Sequence, residues 1–171
     1  MMPHDIQELE RLIENGLIKL EITGGIPTWE ASPASRHQKA AKRIEDSIQP
    51  LPGSPCGCYS LADTYISFPD GSLKRPDISI FCDEPPDSDE ALMIVPVAVI
   101  EIVSPDKESA RKDLELNPPV YLPAGVLDVI AFDPRTKHIT WWDADTGVEE
   151  PRQMLAPQTL TLRCGCQVTI G

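Results

Sequence analysis

The 171 residues contain no run of about eighteen or more uninterrupted apolar side chains, which excludes a membrane-spanning helix. The opening Met1-Met2-Pro3-His4-Asp5-Ile6-Gln7-Glu8 lacks the basic segment and apolar core of a secretory signal, so a soluble, cytoplasmic protein is expected. An even cysteine count is also missing, and five cysteines fit reduced intracellular thiols better than a secreted disulfide framework. Cationic charge is scarce: 15 Lys and Arg stand against 27 Asp and Glu, for a net charge of −12 and a pI near 4.6. Such a chain repels a polyanion at long range, which argues against tight non-specific DNA binding. Nucleic-acid chemistry stays open, because a local basic surface can dock phosphate while acidic ligands hold a cation. No internal repeat is visible, and the length suits one domain spanning 1–171.

Periodicity gives the order of elements. Ile6, Leu9, Leu12, Ile13 and Leu17 recur at helical spacing with Gly16 as a stop, which predicts an amphipathic packing helix. Residues 17–22 and 26–30 flank Thr23-Gly24-Gly25 and read as two strands joined by a glycine turn. Ser35 can cap a second helix, with His37, Ala41, Ile44 and Ile48 on one side. Arg36, Lys39 and Arg43 form a basic stripe on another side, either a phosphate-facing surface or a solvated face balanced by Glu45 and Asp46. Cys58 to Phe68 reads as a strand, and Pro76 to Cys82 as another with Asp77, Ser79 and Phe81 on one face. Pro96 to Val103 is an apolar run of the kind found in strands buried on both faces, broken only by Glu101. A charged helix from Asp106 to Leu116 follows, which Pro118-Pro119 should end. Strands are then expected at 126–132, 139–142, 159–163 and 167–170. This alternation predicts an α/β or α+β sandwich around a mixed central sheet.

A carboxylate inside an apolar strand costs several kcal/mol unless it is compensated. For Glu101 a hard divalent ion such as Mg²⁺ would serve, and it would ask for further oxygen ligands from neighbouring strands. Asp77, at the start of its own strand, can supply the second carboxylate.

These residues resemble a known pattern. Pro76-Asp77 followed by Glu101-Ile102-Val103 resembles the PD-(D/E)XK signature of restriction-endonuclease-like nucleases, and more narrowly the Uma-type endonuclease family. The narrower likeness extends over Leu20 to Gly25, the Ser-Pro-rich approach to His37, Arg75-Pro76-Asp77, Glu101 to Pro105, Tyr121 to Val126 and Phe132-Asp133-Pro134. The resemblance implies a mixed sheet flanked by helices and a DNA substrate cleaved with Mg²⁺ or Mn²⁺. It implies Asp77 and Glu101 as metal ligands, the Ile102 carbonyl as a third, and Glu21 as an accessory acid. Two positions depart from it: the signature lysine is replaced by Val103, and the lysine that Uma-type members carry four residues before the tyrosine is Asn117. Lys107 and Lys112 are nearby substitutes, and Lys112 is taken as the catalytic candidate.

Plainer readings stand beside these. Asp77 could pair with Arg75, Glu101 with Lys74 or Lys112, and His37 could be a packed helix-face histidine. Cys56-Gly57-Cys58 and Cys164-Gly165-Cys166 hold four thiols, enough for a structural zinc, but their one-residue spacers are tighter than usual and cysteine also fills cores. The alternative to an endonuclease is a nuclease-fold module that lost the lysine and binds nucleic acid or protein. A two-fold dimer would suit duplex cleavage, since the two strands are related by a dyad.

Overall fold

The computed structural model describes Arg11, residues 18–31 and residues 34–171; the expected N-terminal helix lies outside the described residues. Among the described residues no helix is long and apolar enough to cross a membrane. The architecture is mixed α and β, with three sheets and short helices.

The chain opens with a hairpin of β1 (Ile18–Thr23) and β2 (Ile26–Ala31), whose turn places Gly24 and Gly25 at φ of +56° and +84°. Helix α1 (Ser35–Ser47) follows; Ser35 is its first residue and not its cap, since the cap position falls on Ala34 with no side-chain bond. Next come β3 (Gln49–Pro50), β4 (Tyr59–Ala62), β5 (Ile66–Ser67), β6 (Leu73–Lys74), β7 (Ile78–Phe81) and β8 (Ala98–Ile102). The expected strand from Cys58 to Phe68 is therefore two strands in different sheets. Asp63, at φ +51°, lies between them and breaks the extended run.

Helix α2 (Lys107–Arg111) runs into a π-helical segment (Lys112–Leu116) and then α3 (Pro118–Ala124). The helical segment expected from Asp106 to Leu116 ends at Leu116 before the prolines, and Pro118-Pro119 also starts a new helix. The two prolines occupy the first positions of α3, where a missing N–H leaves no bond unmade, and the Asn117 carbonyl accepts the N–H groups of Val120 and Tyr121. The remaining strands are β9 (Asp128–Phe132), β10 (His138–Asp143), β11 (Arg152–Leu155), β12 (Gln158–Thr161) and β13 (Cys166–Ile170).

The central sheet has the order β11-β10-β9-β8-β7-β4, antiparallel throughout except for the β8–β9 pair. Its middle strands are buried on both faces, which explains the unbroken apolar composition of β8. One face, through Ile78, Ile80, Ile100, Ile102 and Ile130, packs under α1 and the β12–β13 hairpin. The opposite face, through Phe81, Val99, Val129 and Trp142, packs on Tyr121 of α3 and on Ile66. The first sheet, β2-β1-β6-β5, brings the opening hairpin to this second side.

Four cysteines are joined as Cys56–Cys82 and Cys58–Cys166, leaving Cys164 free. The expectation of five reduced thiols is thus not met. Folding brings segments remote in sequence to one place, and two thiols in contact are free to pair.

Candidate functional site

Along β8, Ala98, Ile100 and Ile102 belong to the α1-side core, and Val99 and Val103 to the opposite one. Glu101 follows the phase of Val99 and points to the α3 side, where the Tyr121 hydroxyl donates to its Oε1 at 2.9 Å. Strands β7 and β8 pair Ile78 with Ile100 and Ser79 with Val99. Asp77 immediately precedes Ile78, where that ladder begins, and its charge acts on Glu101. Asp77 Oδ2 accepts the Ile102 N–H at 2.7 Å, and Oδ1 lies 3.3 Å from His37 Nε2 on α1. In an extended strand a residue's N–H and C=O leave by the same edge, so the Ile102 carbonyl also emerges toward Asp77.

The two acids are held in different states. Burial, then the charges of Asp77 and Asp113, push the Glu101 carboxyl well above the usual carboxylate range. Burial acts the same way on Asp77, but the Lys19 ammonium, the His37 hydrogen bond and the Ile102 N–H outweigh it and hold its pKa down. His37 is raised in turn, because its contact with Asp77 overcomes the effect of burial. Asp113, buried beside Asn117, is pushed up by burial and by Asp77. Two neighbouring carboxyls whose environments drive their pKa values apart are a recurrent mark of functional sites.

The β1–β2 hairpin supplies a second charged layer. Its register puts Lys19 across from Glu30 and Glu21 across from Thr28, so these four side chains share one face. Glu21 Oε1 meets Lys112 Nζ at 2.5 Å and Lys74 Nζ at 3.6 Å, and its Oε2 accepts the Arg75 N–H. Lys112 also pairs with Glu30. Burial opposes the Glu21 charge, but Lys19, Lys74, Lys112 and the Arg75 N–H hold the carboxyl down to about 2. Burial likewise opposes charge on Lys19, yet Glu21, Asp77, Glu101 and Glu30 together raise its pKa. Lys19 is thus the cation common to the hairpin acids and to the Asp77–Glu101 pair.

The Glu21 pairing has a pH signature. A folded pKa near 2 against an ordinary 4.5 means that the unfolded chain takes up the proton first as pH falls. The stability it contributes, on the order of 3 kcal/mol at most, is complete above about pH 4.5 and lost on descending toward about pH 2. Denaturant unfolding of wild type and Glu21→Gln should show a stability gap that narrows over that interval. A gap independent of pH would contradict the pairing.

Several expected partnerships are replaced. Arg75 pairs with Asp63 at 2.8 Å and not with Asp77, and both Lys74 and Lys112 go to Glu21 and not to Glu101. Lys112, expected as the catalytic ammonium, is buried in this ion-pair layer, because the π-helical turn directs it at the hairpin. Among the described residues only Cys56, Cys58 and Cys166 form a group of three or more ligand atoms within 4.8 Å of one another. Glu21 therefore does not converge with Asp77 and Glu101 into such a group. Lys19 and Asp113 are the site residues that sequence reasoning missed; His37, read as a packed helix-face histidine, meets Asp77, and Tyr121, quoted only for the family likeness, holds Glu101.

Beside Asp77 a cleft of about 600 Å³ lies between α1 and the β8 and β9 ends. Its lining includes Arg36, His37, Lys39, Arg43, Arg135 and Lys137, together with Val103, Ser104 and Pro105, and no Asp or Glu among the described residues. The basic stripe of α1 thus faces a cleft that begins two residues beyond Glu101, in a chain whose overall charge is −12.

Comparison with known proteins bears on this arrangement. Residues 6–169 match the model of the Uma2 family, described as "Putative restriction endonuclease". The chain belongs to the Uma2 family. Its fold is similar to that of a "putative nuclease belonging to DUF820" from Anabaena variabilis ATCC 29413, with 18% identity over 82% of this chain and 79% of that chain and a TM-score of 0.61. At that identity the likeness shows the fold alone. Among curated proteins no significant match is found. Family membership places this Uma2 chain among nuclease-like proteins.

Proposed function

We propose that the protein is a divalent-metal-dependent endonuclease that hydrolyses DNA phosphodiester bonds, with Asp77, Glu101 and the Ile102 carbonyl holding Mg²⁺ or Mn²⁺. The observation that carries this reading is a pair of electrostatically coupled acids, Glu101 buried in the apolar strand β8 and Asp77 just before β7, the second of which meets His37 in the lining of an all-basic cleft. The donor set fits a hard cation, since all three groups offer oxygen. Two further buried oxygens nearby, Ser79 Oγ and Asn117 Oδ1, have no hydrogen-bond partner, so the surroundings hold polar capacity that the protein itself does not use.

A bound cation would supply Lewis acidity toward a phosphate oxygen and lower the pKa of water. The chain's own groups would do the rest. Arg36, Lys39 and Arg43 dock the phosphate backbone through a local field opposite in sign to that of the whole molecule. His37 and the Ile102 N–H fix the Asp77 carboxylate, and Tyr121 fixes Glu101. Lys19, whose charge acts on both Asp77 and Glu101, would be the ammonium that offsets charge developing on the phosphate. Water attacks in line, without a covalent bond to the chain.

Nicking of supercoiled plasmid with Mg²⁺ or Mn²⁺ tests this. The wild type should nick only with metal, and Asp77→Ala should lose about 100-fold or more. Nicking that persists in Asp77→Ala, or none by a folded wild type, would reject the reading and favour the binding-module alternative.

A further inference from the structure

All five cysteines of the chain fall in three segments that the fold brings together: Cys56-Gly57-Cys58 before β4, Cys82 after β7, and Cys164-Gly165-Cys166 between β12 and β13. Cys56, Cys58 and Cys166 are buried, and their sulfurs lie within 4.8 Å of one another. Cys82 is bonded to Cys56, and Cys58 to Cys166. Cys56 Sγ and Cys166 Sγ, which belong to different pairs, are 3.6 Å apart. Four sulfurs thus form one contiguous group. We propose that in the reduced protein Cys56, Cys58, Cys82 and Cys166 bind one structural Zn²⁺.

The spacing fits that ion. Zn–S bonds of about 2.3 Å in a tetrahedron put neighbouring sulfurs about 3.8 Å apart, close to the 3.6 Å between Cys56 Sγ and Cys166 Sγ; Cys82, bonded to Cys56, lies outside the group of three within 4.8 Å and joins it once its disulfide opens. The loops are shaped for it as well. A Cβ on Gly57 would fall 2.5 Å from the Tyr59 ring and 3.0 Å from the Cys82 carbonyl. Gly165 has φ +93°, and a Cβ there would fall 2.4 Å from Ser54 Oγ. Each one-residue spacer is therefore restricted to glycine by close approach. The tight Cys-Gly-Cys spacing, which counted against zinc in the sequence, leaves Cys56 and Cys58 of the first loop within 4.8 Å of Cys166 from the second. A core-filling role needs no such convergence from segments up to 110 residues apart.

The chemistry balances without an unnamed partner. A dithiol reductant, two equivalents, converts the two disulfides to four thiols. Zinc then binds with release of the thiol protons and no transfer of electrons. The ion would tie the β12–β13 hairpin to the edge of the central sheet, the same connection the Cys58–Cys166 bond makes. Cys164, whose thiol is pushed up by burial, stays outside the ligand set.

Elemental analysis of protein purified under reducing conditions without chelator should find one zinc per chain. Cobalt exchanged into the wild type should give the intense thiolate charge-transfer and ligand-field bands of a tetrahedral tetrathiolate. Cys166→Ser and Cys58→Ser should lose both signals, whereas Cys164→Ser should keep them. Asp77→Ala should also keep them, so this result is independent of the carboxylate site. Zinc-free protein with two disulfides, zinc-free protein with five free thiols, or equal loss in Cys164→Ser would each overturn the proposal.

Discussion

Replacing Glu101 by glutamine is expected to stabilise the metal-free protein at neutral pH and to abolish divalent-metal binding. Glu101 is 2% exposed in a strand whose other residues are apolar, and its environment disfavours the ionised form. Gln keeps the volume and an oxygen that can accept the Tyr121 hydroxyl, and it removes an ionisable group whose burial costs stability. Calorimetric titration with Mn²⁺ should show affinity reduced more than about 100-fold, beyond the 10–100-fold that loss of a supporting hydrogen bond to a ligand costs. A higher Tm with no metal binding marks a residue retained for function against the interest of stability. A lower Tm with unchanged Mn²⁺ affinity would mark Glu101 as structural.

Lys19→Met should separate catalysis from metal binding. Its ammonium acts on Asp77 and Glu101 as well as on Glu21 and Glu30. Removing it should slow metal-dependent nicking by about 100- to 1000-fold, the scale of a lost charge-stabilising group. Mn²⁺ affinity should stay level or rise, because a cation beside the ligands is gone. Lys19→Arg should restore part of the rate. Lys112→Met should behave differently: it breaks a buried pairing with Glu21 and Glu30, so the expected cost is about 3–5 kcal/mol of stability. If Lys112→Met lost the rate with stability intact and Lys19→Met did not, the roles assigned to the two lysines would be reversed.

The acid pair was legible in the sequence because each residue violates its local pattern. Glu101 interrupts the apolar run of β8, and Asp77 stands just before the apolar strand β7. The α1 basic stripe was equally plain, since helical periodicity places Arg36, Lys39 and Arg43 without reference to the rest of the fold.

What escaped depends on contacts between elements. Lys19 and Glu21 alternate as charges on any half-exposed strand do, and only the pairing with β2 and docking of the hairpin on the π-helical segment make them a buried layer. His37 follows the apolar phase of α1, and its bond to Asp77 exists because α1 lies across the end of β7. The helix that begins at Pro118-Pro119 escaped because proline, which is excluded from a helix interior and so ends the segment before it, also suits a first turn. Cys82 carried no signal alone, since nothing local tells it that two Cys-Gly-Cys loops meet beside it.

Anomalous scattering from a manganese-soaked crystal tests the central claim most directly. The account expects a single strong peak within direct coordination of both the Asp77 and Glu101 carboxylates. Manganese bound elsewhere, or a saturated crystal in which Glu101 still meets only the Tyr121 hydroxyl, would contradict it.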